Sequence, residues 1–155
     1  LVAAKATLDA HYRAELGEPF RTAGLCLYRD GRDSVAWHGD TIGRGSTEDT
    51  MVAILSLGAA RPLLLRPRAG ANPGPDLASA GPADLVAPAR SADPAGTAGV
   101  SGDAPATGTL RYNLGHGDLI VMGGSCQRTW EHAVPKTAHS TGARISVQFR
   151  PRGVR

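Results

Sequence analysis

From Ala23 to Phe149 the chain is a succession of short apolar runs, each bounded by glycine- or aspartate-bearing turns. The runs are Ala23 to Tyr28, Ser34 to His38, Met51 to Leu57, Pro62 to Leu65, Arg111 to Leu114, Leu119 to Met122, Trp130 to Val134 and Ile145 to Phe149. Each is long enough for one strand and too short for a stable helix, so the pattern predicts an all-β sandwich or barrel. Gly58-Ala59-Ala60 and Gly115-His116-Gly117-Asp118 are expected to close two hairpins. Ahead of the strands, Leu1, Lys5, Leu8, Tyr12 and Leu16 recur at three- or four-residue intervals and predict a helix, which Gly17-Glu18-Pro19 ends.

Between Ala69 and Thr109 the composition shifts to Ala, Pro, Gly, Ser and Asp. Such a segment buries too little apolar surface to offset its ordering entropy, so it is expected to be a disordered insertion between two strands. The 155 residues are therefore read as one domain interrupted at about 69–109. Hydrophobic residues make up 41% but aromatics only 5%, which puts the weight of the core on Val, Leu, Ile and Ala. A net charge of +3 is compatible with an anionic partner and equally with an ordinary basic protein. Cys26 and Cys126 form no CxxC pair and suggest neither a disulfide framework nor a zinc site. A cytoplasmic monomer is expected, with no membrane span and no signal peptide. The chain begins at Leu1, inside the predicted helix, and reads as a fragment.

H-x-D alone recurs in ordinary sequences, and a strand histidine by itself is more often a packed or surface residue than a ligand, but one chemistry fits the motifs here. A mononuclear non-haem iron site takes two imidazoles and one carboxylate on one face of the metal and leaves the rest open. Residues i and i+2 of a strand point the same way, so the end of one strand supplies both His38 and Asp40 from Trp37-His38-Gly39-Asp40. His132 follows after most of the predicted strands, as a barrel closing on itself requires. His116-Gly117-Asp118 has the same form but lies in a predicted turn shortly before His132, and is read as a turn.

The segment Arg144-Ile145-Ser146-Val147-Gln148-Phe149-Arg150 alternates strictly between an apolar and a polar face. One reading is a half-exposed strand with a solvated polar face. The other is a dicarboxylate clamp. Six strand steps span about 20 Å, and two arginines leaning inward leave a gap matching a five-carbon dicarboxylate. Guanidinium groups suit its carboxylates through two-pronged, charge-assisted bonds.

Taken together, these blocks resemble the AlkB-type iron(II)/2-oxoglutarate-dependent dioxygenases, the oxidative nucleic-acid dealkylases. Leu27-Tyr28-Arg29-Asp30-Gly31 and Asp33 to Asp40 are similar to the family's first ligand segment. Trp130 to Lys136 is similar to its distal-histidine segment, and Arg144 to Arg150 to its R-x5-R strand. The resemblance implies a double-stranded β-helix (jelly-roll) barrel and iron bound by His38, Asp40 and His132. It implies 2-oxoglutarate held by Arg144 with Tyr28 and Ser146, with Arg150 toward the chelating end and molecular oxygen as co-substrate. The implied reaction is removal of N-alkyl groups from damaged bases, with alkylated nucleic acid, DNA first, as partner and DNA repair as role. The target base leaves its stack to react. Three positions depart from the pattern. Cys26 and Ser146 stand where amides are common, and Ile42 where several members carry an acid.

Two alternatives remain open: the same core acting on RNA, a protein or a small molecule, and a non-catalytic binding module with a vestigial site. His11 and His139 are read as surface histidines, and Glu131 as a solvated or supporting residue. Trp37 and Trp130 are read as core or rim packing, with base stacking by Trp130 as the minority alternative. Arg61, Arg66, Arg68, Arg152 and Arg155 are read as solvated rather than as phosphate contacts.

Overall fold

The computed structural model describes residues 1–71 and 108–155. The Ala/Pro/Gly-rich insertion lies almost wholly outside the described residues. In chain order the elements are α1 (Val2–Leu16), β1 (Thr22–Tyr28), β2 (Val35–His38), β3 (Val52–Gly58), β4 (Arg61–Pro67), β5 (Leu110–Leu114), β6 (Leu119–Met122), a one-turn helix α2 (Cys126–Thr129), β7 (Trp130–Val134) and β8 (Arg144–Arg150). A short 3-10 turn over Arg44–Ser46 follows β2. Neither this turn nor α2 is anticipated by the strand pattern.

The strands form two four-stranded sheets, ordered β1-β8-β3-β6 and β2-β7-β4-β5, and every named pairing is antiparallel. This is the expected jelly-roll arrangement. Both expected hairpins are corrected by it. β3 pairs with β6 and β8, while β4 pairs with β5 and β7. Gly58-Ala59-Ala60 therefore carries the chain from one sheet to the other. Gly115 to Asp118 does the same, since β5 belongs to the second sheet and β6 to the first. Gly58 sits at φ 98°, in the region that favours glycine, and its N–H is accepted by Nδ1 of His116 at 3.1 Å. The two corners thus brace each other.

Alternation then decides which side chains meet. Val52 and Ile54 of β3 join Leu63, Leu65, Ile120, Met122 and Trp130 in the core between the sheets. Ala53 of β3, with Val147 and Phe149 of β8, faces the other way and packs against Leu8 and Tyr12 of α1 and against Phe20, which follows the helix. The helix stripe runs through Ala4, Leu8, Tyr12 and Leu16, at four-residue spacing. Leu1, counted in the predicted stripe, is 61% exposed. Gly17 closes the helix in the left-handed conformation, its N–H donating to the Arg13 carbonyl. Of seven aromatic side chains only Trp37 escapes burial, so the core leans on its few aromatic rings more than the composition implies.

With α1 covering the apolar face of β8, its polar face turns inward. Arg144 is 1% exposed and Ser146 3%. The solvated-face reading of this strand is therefore corrected.

Candidate active site

β2 and β7 carry the two histidines. Their register pairs Val35 with Val134 and His38 with His132, three steps along β2 against two along β7. The extra residue is a β-bulge, which bends a strand and re-aims its side chains. It brings Val35 and His38 to the same inner side although an odd number of steps separates them, and turns Trp37 outward. The two imidazole rings stand 4.3 Å apart between centroids. Nδ1 of His38 lies 2.8 Å from the Ala36 carbonyl oxygen. A carbonyl only accepts, so Nδ1 carries a proton and Nε2 is the ring nitrogen left to face a metal. His132 is 5% exposed. Burial, and then the neighbouring His38, push its pKa down to about 4, so the ring is neutral at ordinary pH. Two facing imidazoles suit a borderline metal ion.

Asp40 follows on the loop after β2 and is 4% exposed. Both its oxygens are engaged by Arg150: Nε donates to Oδ2 and Nη2 to Oδ1, each at 3.1 Å. Arg150 Nη2 also donates to Oε1 of Gln148 at 2.7 Å, and Gln148 Nε2 donates to Sγ of Cys26 at 3.4 Å. With the Asp40 carboxylate turned to Arg150, no three His, Cys, Asp or Glu side chains among the described residues are grouped to hold a metal. The donor types nevertheless suit iron(II): two imidazoles are adjacent, and a carboxylate stands two residues after His38.

The far end of the site is cationic. A narrow cleft, with about 10 Å³ of space inside, is lined by Tyr28, His38, His132, Arg144, Ser146 and Gln148, among others. Arg144 Nε donates to Ser56 Oγ at 2.8 Å, and the guanidinium sits 5.2 Å from the Tyr28 ring centroid. Its Nη1 is buried and has no acceptor among the described residues. Burial lowers the pKa of Arg144 from its ordinary value, but a guanidinium keeps its charge in proteins. A buried cation with an unanswered N–H in a cleft is a seat for an anion. Burial, followed by the neighbouring Cys26, raises the Tyr28 pKa; this keeps Tyr28 a neutral phenol.

Other residues fall elsewhere. His116 and Asp118 lie in the β5–β6 corner, where Asp118 Oδ2 accepts the Gly115 N–H at 2.8 Å, as the turn reading expects. Trp130 is 8% exposed within the inter-sheet core, which leaves little ring for a base to stack on. Trp37 stacks beneath Arg66, 4.2 Å from guanidinium to ring centroid, and Arg66 pairs with Glu131 at 2.9 Å. Arg61 is 1% exposed and donates to the carbonyls of Asp30, Asp33 and Pro135, so for this residue the solvated reading is corrected. Both cysteines are free, and burial pushes Cys126 up to about 12, leaving it an unreactive thiol. Ser56 and Gln127 belong to none of the sequence motifs, and Gln148 enters only as part of the polar face of Arg144 to Arg150. Ser56 is the lone hydroxyl in the run Met51 to Leu57, a signal available in the sequence. Gln127 lies in no recognised pattern.

A jelly roll with paired inward histidines and a buried arginine seat defines a class of metal- and dicarboxylate-using oxygenases, and the sequence comparisons agree. The model of the 2OG-Fe(II) oxygenase superfamily matches residues 3–150, and the chain belongs to that family. Its members use iron(II) and 2-oxoglutarate with molecular oxygen. Within it the chain is AlkB-like. It is 30% identical over 155 residues to the human alpha-ketoglutarate-dependent dioxygenase alkB homolog 3, covering 95% of this chain and 43% of that protein. It is 31% identical over 157 residues to the Arabidopsis thaliana DNA oxidative demethylase ALKBH2, covering 94% and 42%. An uncharacterized protein of Acanthamoeba polyphaga mimivirus is 26% identical over 139 residues, covering 89% and 53%. The chain thus spans less than half the length of the first two relatives. No helix among the described residues is long and apolar enough to cross a membrane.

Proposed function

We propose that this chain is the catalytic core of an iron(II)- and 2-oxoglutarate-dependent dioxygenase that removes N-alkyl groups from damaged nucleic-acid bases, in DNA first. The observation that carries the reading is the buried Arg144, with its unanswered N–H, in the same cleft as the facing pair His38 and His132. His38, Asp40 and His132 would hold the metal. Arg144, with Tyr28, Ser56 and Ser146 around it, would hold the distal carboxylate of 2-oxoglutarate, and Arg150 would face the other end. When bound, the metal and co-substrate supply an oxidant for a carbon–hydrogen bond, with succinate and carbon dioxide as by-products. The chain's own contribution is placement. The bulge in β2 sets His38 against His132, burial keeps His132 neutral, and the closed core between the sheets keeps water from the far end. Names of the relatives support a nucleic-acid substrate, and the net charge of +3 is compatible with one. A cytoplasmic monomer acting in DNA repair completes the proposal.

The test is product release with iron(II), 2-oxoglutarate, oxygen and an N-methylated oligonucleotide, comparing wild type with His132→Ala. Succinate and formaldehyde from wild type alone are the expected result. Succinate without formaldehyde overturns the substrate and keeps the oxygenase. Neither product, with no metal bound, overturns the enzyme reading.

A further inference from the structure

Gln127 is 1% exposed, an unusual place for an amide that belongs to no catalytic motif. Its Oε1 accepts the backbone N–H of Asp40 at 3.0 Å, across 87 positions of sequence. Its Nε2 has no partner among the described residues. The orientation follows from chemistry: an N–H needs an acceptor, so the oxygen must face Asp40 and the NH2 must face away. A buried orphan donor is costly, and an apolar side chain of the same shape would avoid that cost. The side chain therefore has its value in the single bond that Oε1 makes.

That bond joins the two segments that bring metal-ligand types together. Gln127 lies on α2, the single turn that leads directly into β7 and His132. Asp40 lies on the loop that leaves β2 just after His38. The two segments also touch at Gly39, where an added Cβ would stand 2.7 Å from the Gln127 carbonyl oxygen and 3.2 Å from that of Trp130. Real Cβ atoms essentially never come within 3.0 Å, so only glycine lets the loop lie this close to α2. The β2–β7 ladder fixes His38 against His132 but stops at His38. Beyond it, Asp40 is located by Gln127 through its backbone and by Arg150 through its carboxylate.

We infer that Gln127 is a positioning residue for metal binding: by holding the Asp40 amide it sets where the carboxylate of Asp40 can reach relative to His38 and His132. The inference rests on the proposed metal site. Outer partners of this kind typically change metal affinity by 10- to 100-fold when lost.

The test is binding of Mn(II), followed as loss of the free-ion electron paramagnetic resonance signal on titration with this chain. Two variants are compared with wild type. Gln127→Met keeps length and volume but removes the acceptor. Gln127→Glu keeps an acceptor in the same place. The expected result is at least about tenfold weaker Mn(II) binding by Gln127→Met and binding within a few-fold of wild type by Gln127→Glu. Circular dichroism and a thermal melt check that each variant is folded. Wild-type affinity in a folded Gln127→Met overturns the inference, and so does an equal loss in both variants, because the acceptor would then not be what matters. If Gln127→Met does not fold, Gln127→Glu decides: retained affinity supports the role and a tenfold loss overturns it. Failure of wild type itself to bind Mn(II) overturns the metal site, and this inference with it, and is told apart because the unmodified chain is then silent.

Discussion

Replacing Arg144 by Met separates the anion seat from the fold. Arg144 is 1% exposed; its neighbours are the neutral Ser56 Oγ, to which Nε donates, and the Tyr28 phenol, and Nη1 has no acceptor among the described residues. A buried charge so weakly compensated contributes little to the unliganded protein, and apolar replacement of such groups is often neutral or stabilising by about 1–4 kcal/mol. Ser56 still has Leu114 O as an acceptor for its hydroxyl at 3.3 Å, so the substitution strands no donor there. The melting temperature of unliganded Arg144→Met should therefore lie within a few degrees of wild type or above it, at roughly 2–4 °C per kcal/mol for a chain of this size. With 2-oxoglutarate and Mn(II) the variants should part. A ligand at 100 times its Kd stabilises by about 2.7 kcal/mol, which raises the wild-type midpoint by roughly 5–10 °C. Losing a buried charge-assisted contact costs about 2–5 kcal/mol of binding, so at the same concentration the variant should keep a third of that shift or less. Differential scanning fluorimetry reads both effects. A full ligand-induced shift in Arg144→Met would refute the seat. An unliganded midpoint lower by more than about 10 °C would show that Arg144 props the core instead.

Two further outcomes follow from the geometry. The folded-state pKa of His132, about 4, lies below the ordinary value of 6.5, so the unfolded chain takes up the proton first. The metal-free protein should hold this contribution above pH 6.5 and lose it as pH falls toward about 4, on the order of a few kcal/mol, whereas His132→Gln should lose less over the same window in urea unfolding. His116→Ala should leave Mn(II) binding unchanged, since His116 lies in a corner and serves the Gly58 N–H; a cost of about 0.5–1.5 kcal/mol in the same urea assay is expected, and a loss of metal binding would restore His116-Gly117-Asp118 as a ligand motif.

What the sequence conveys of the fold depends on how local the signal is. Strand positions are legible because alternation is local: β6 and β7 begin and end where the pattern places them, and the others shift by a residue or two. Sheet membership is not. Gly58-Ala59-Ala60 signals a reversal of direction, and the chain does reverse there. Whether β4 returns beside β3 is settled by competitors far along the chain, since β6 and β8 occupy both edges of β3. The same holds for the corner at Gly115. Alternation likewise gives β8 two faces without saying which is inside. The ordinary rule sends the polar face to solvent. Here α1 supplies apolar cover for Val147 and Phe149, and Arg144, Ser146, Gln148 and Arg150 are left to line the interior.

The candidate site shows the same division. Its residue types are legible, because H-x-D, a distant histidine and two arginines six apart are unusual together. Its connections are not. Asp40 is shared between two demands: both of its oxygens accept from Arg150, and it stands two residues beyond a histidine that faces another. A cation arriving between His38 and His132 competes with Arg150 for the Asp40 carboxylate. A ligand carboxylate arriving at Arg150 competes with Asp40 for the same N–H groups. On the proposed site each arrival would free the group that the other needs, so a divalent cation and a dicarboxylate would favour one another's binding there even before they touch. That follows from one bidentate ion pair, and no spacing rule read along the chain contains it.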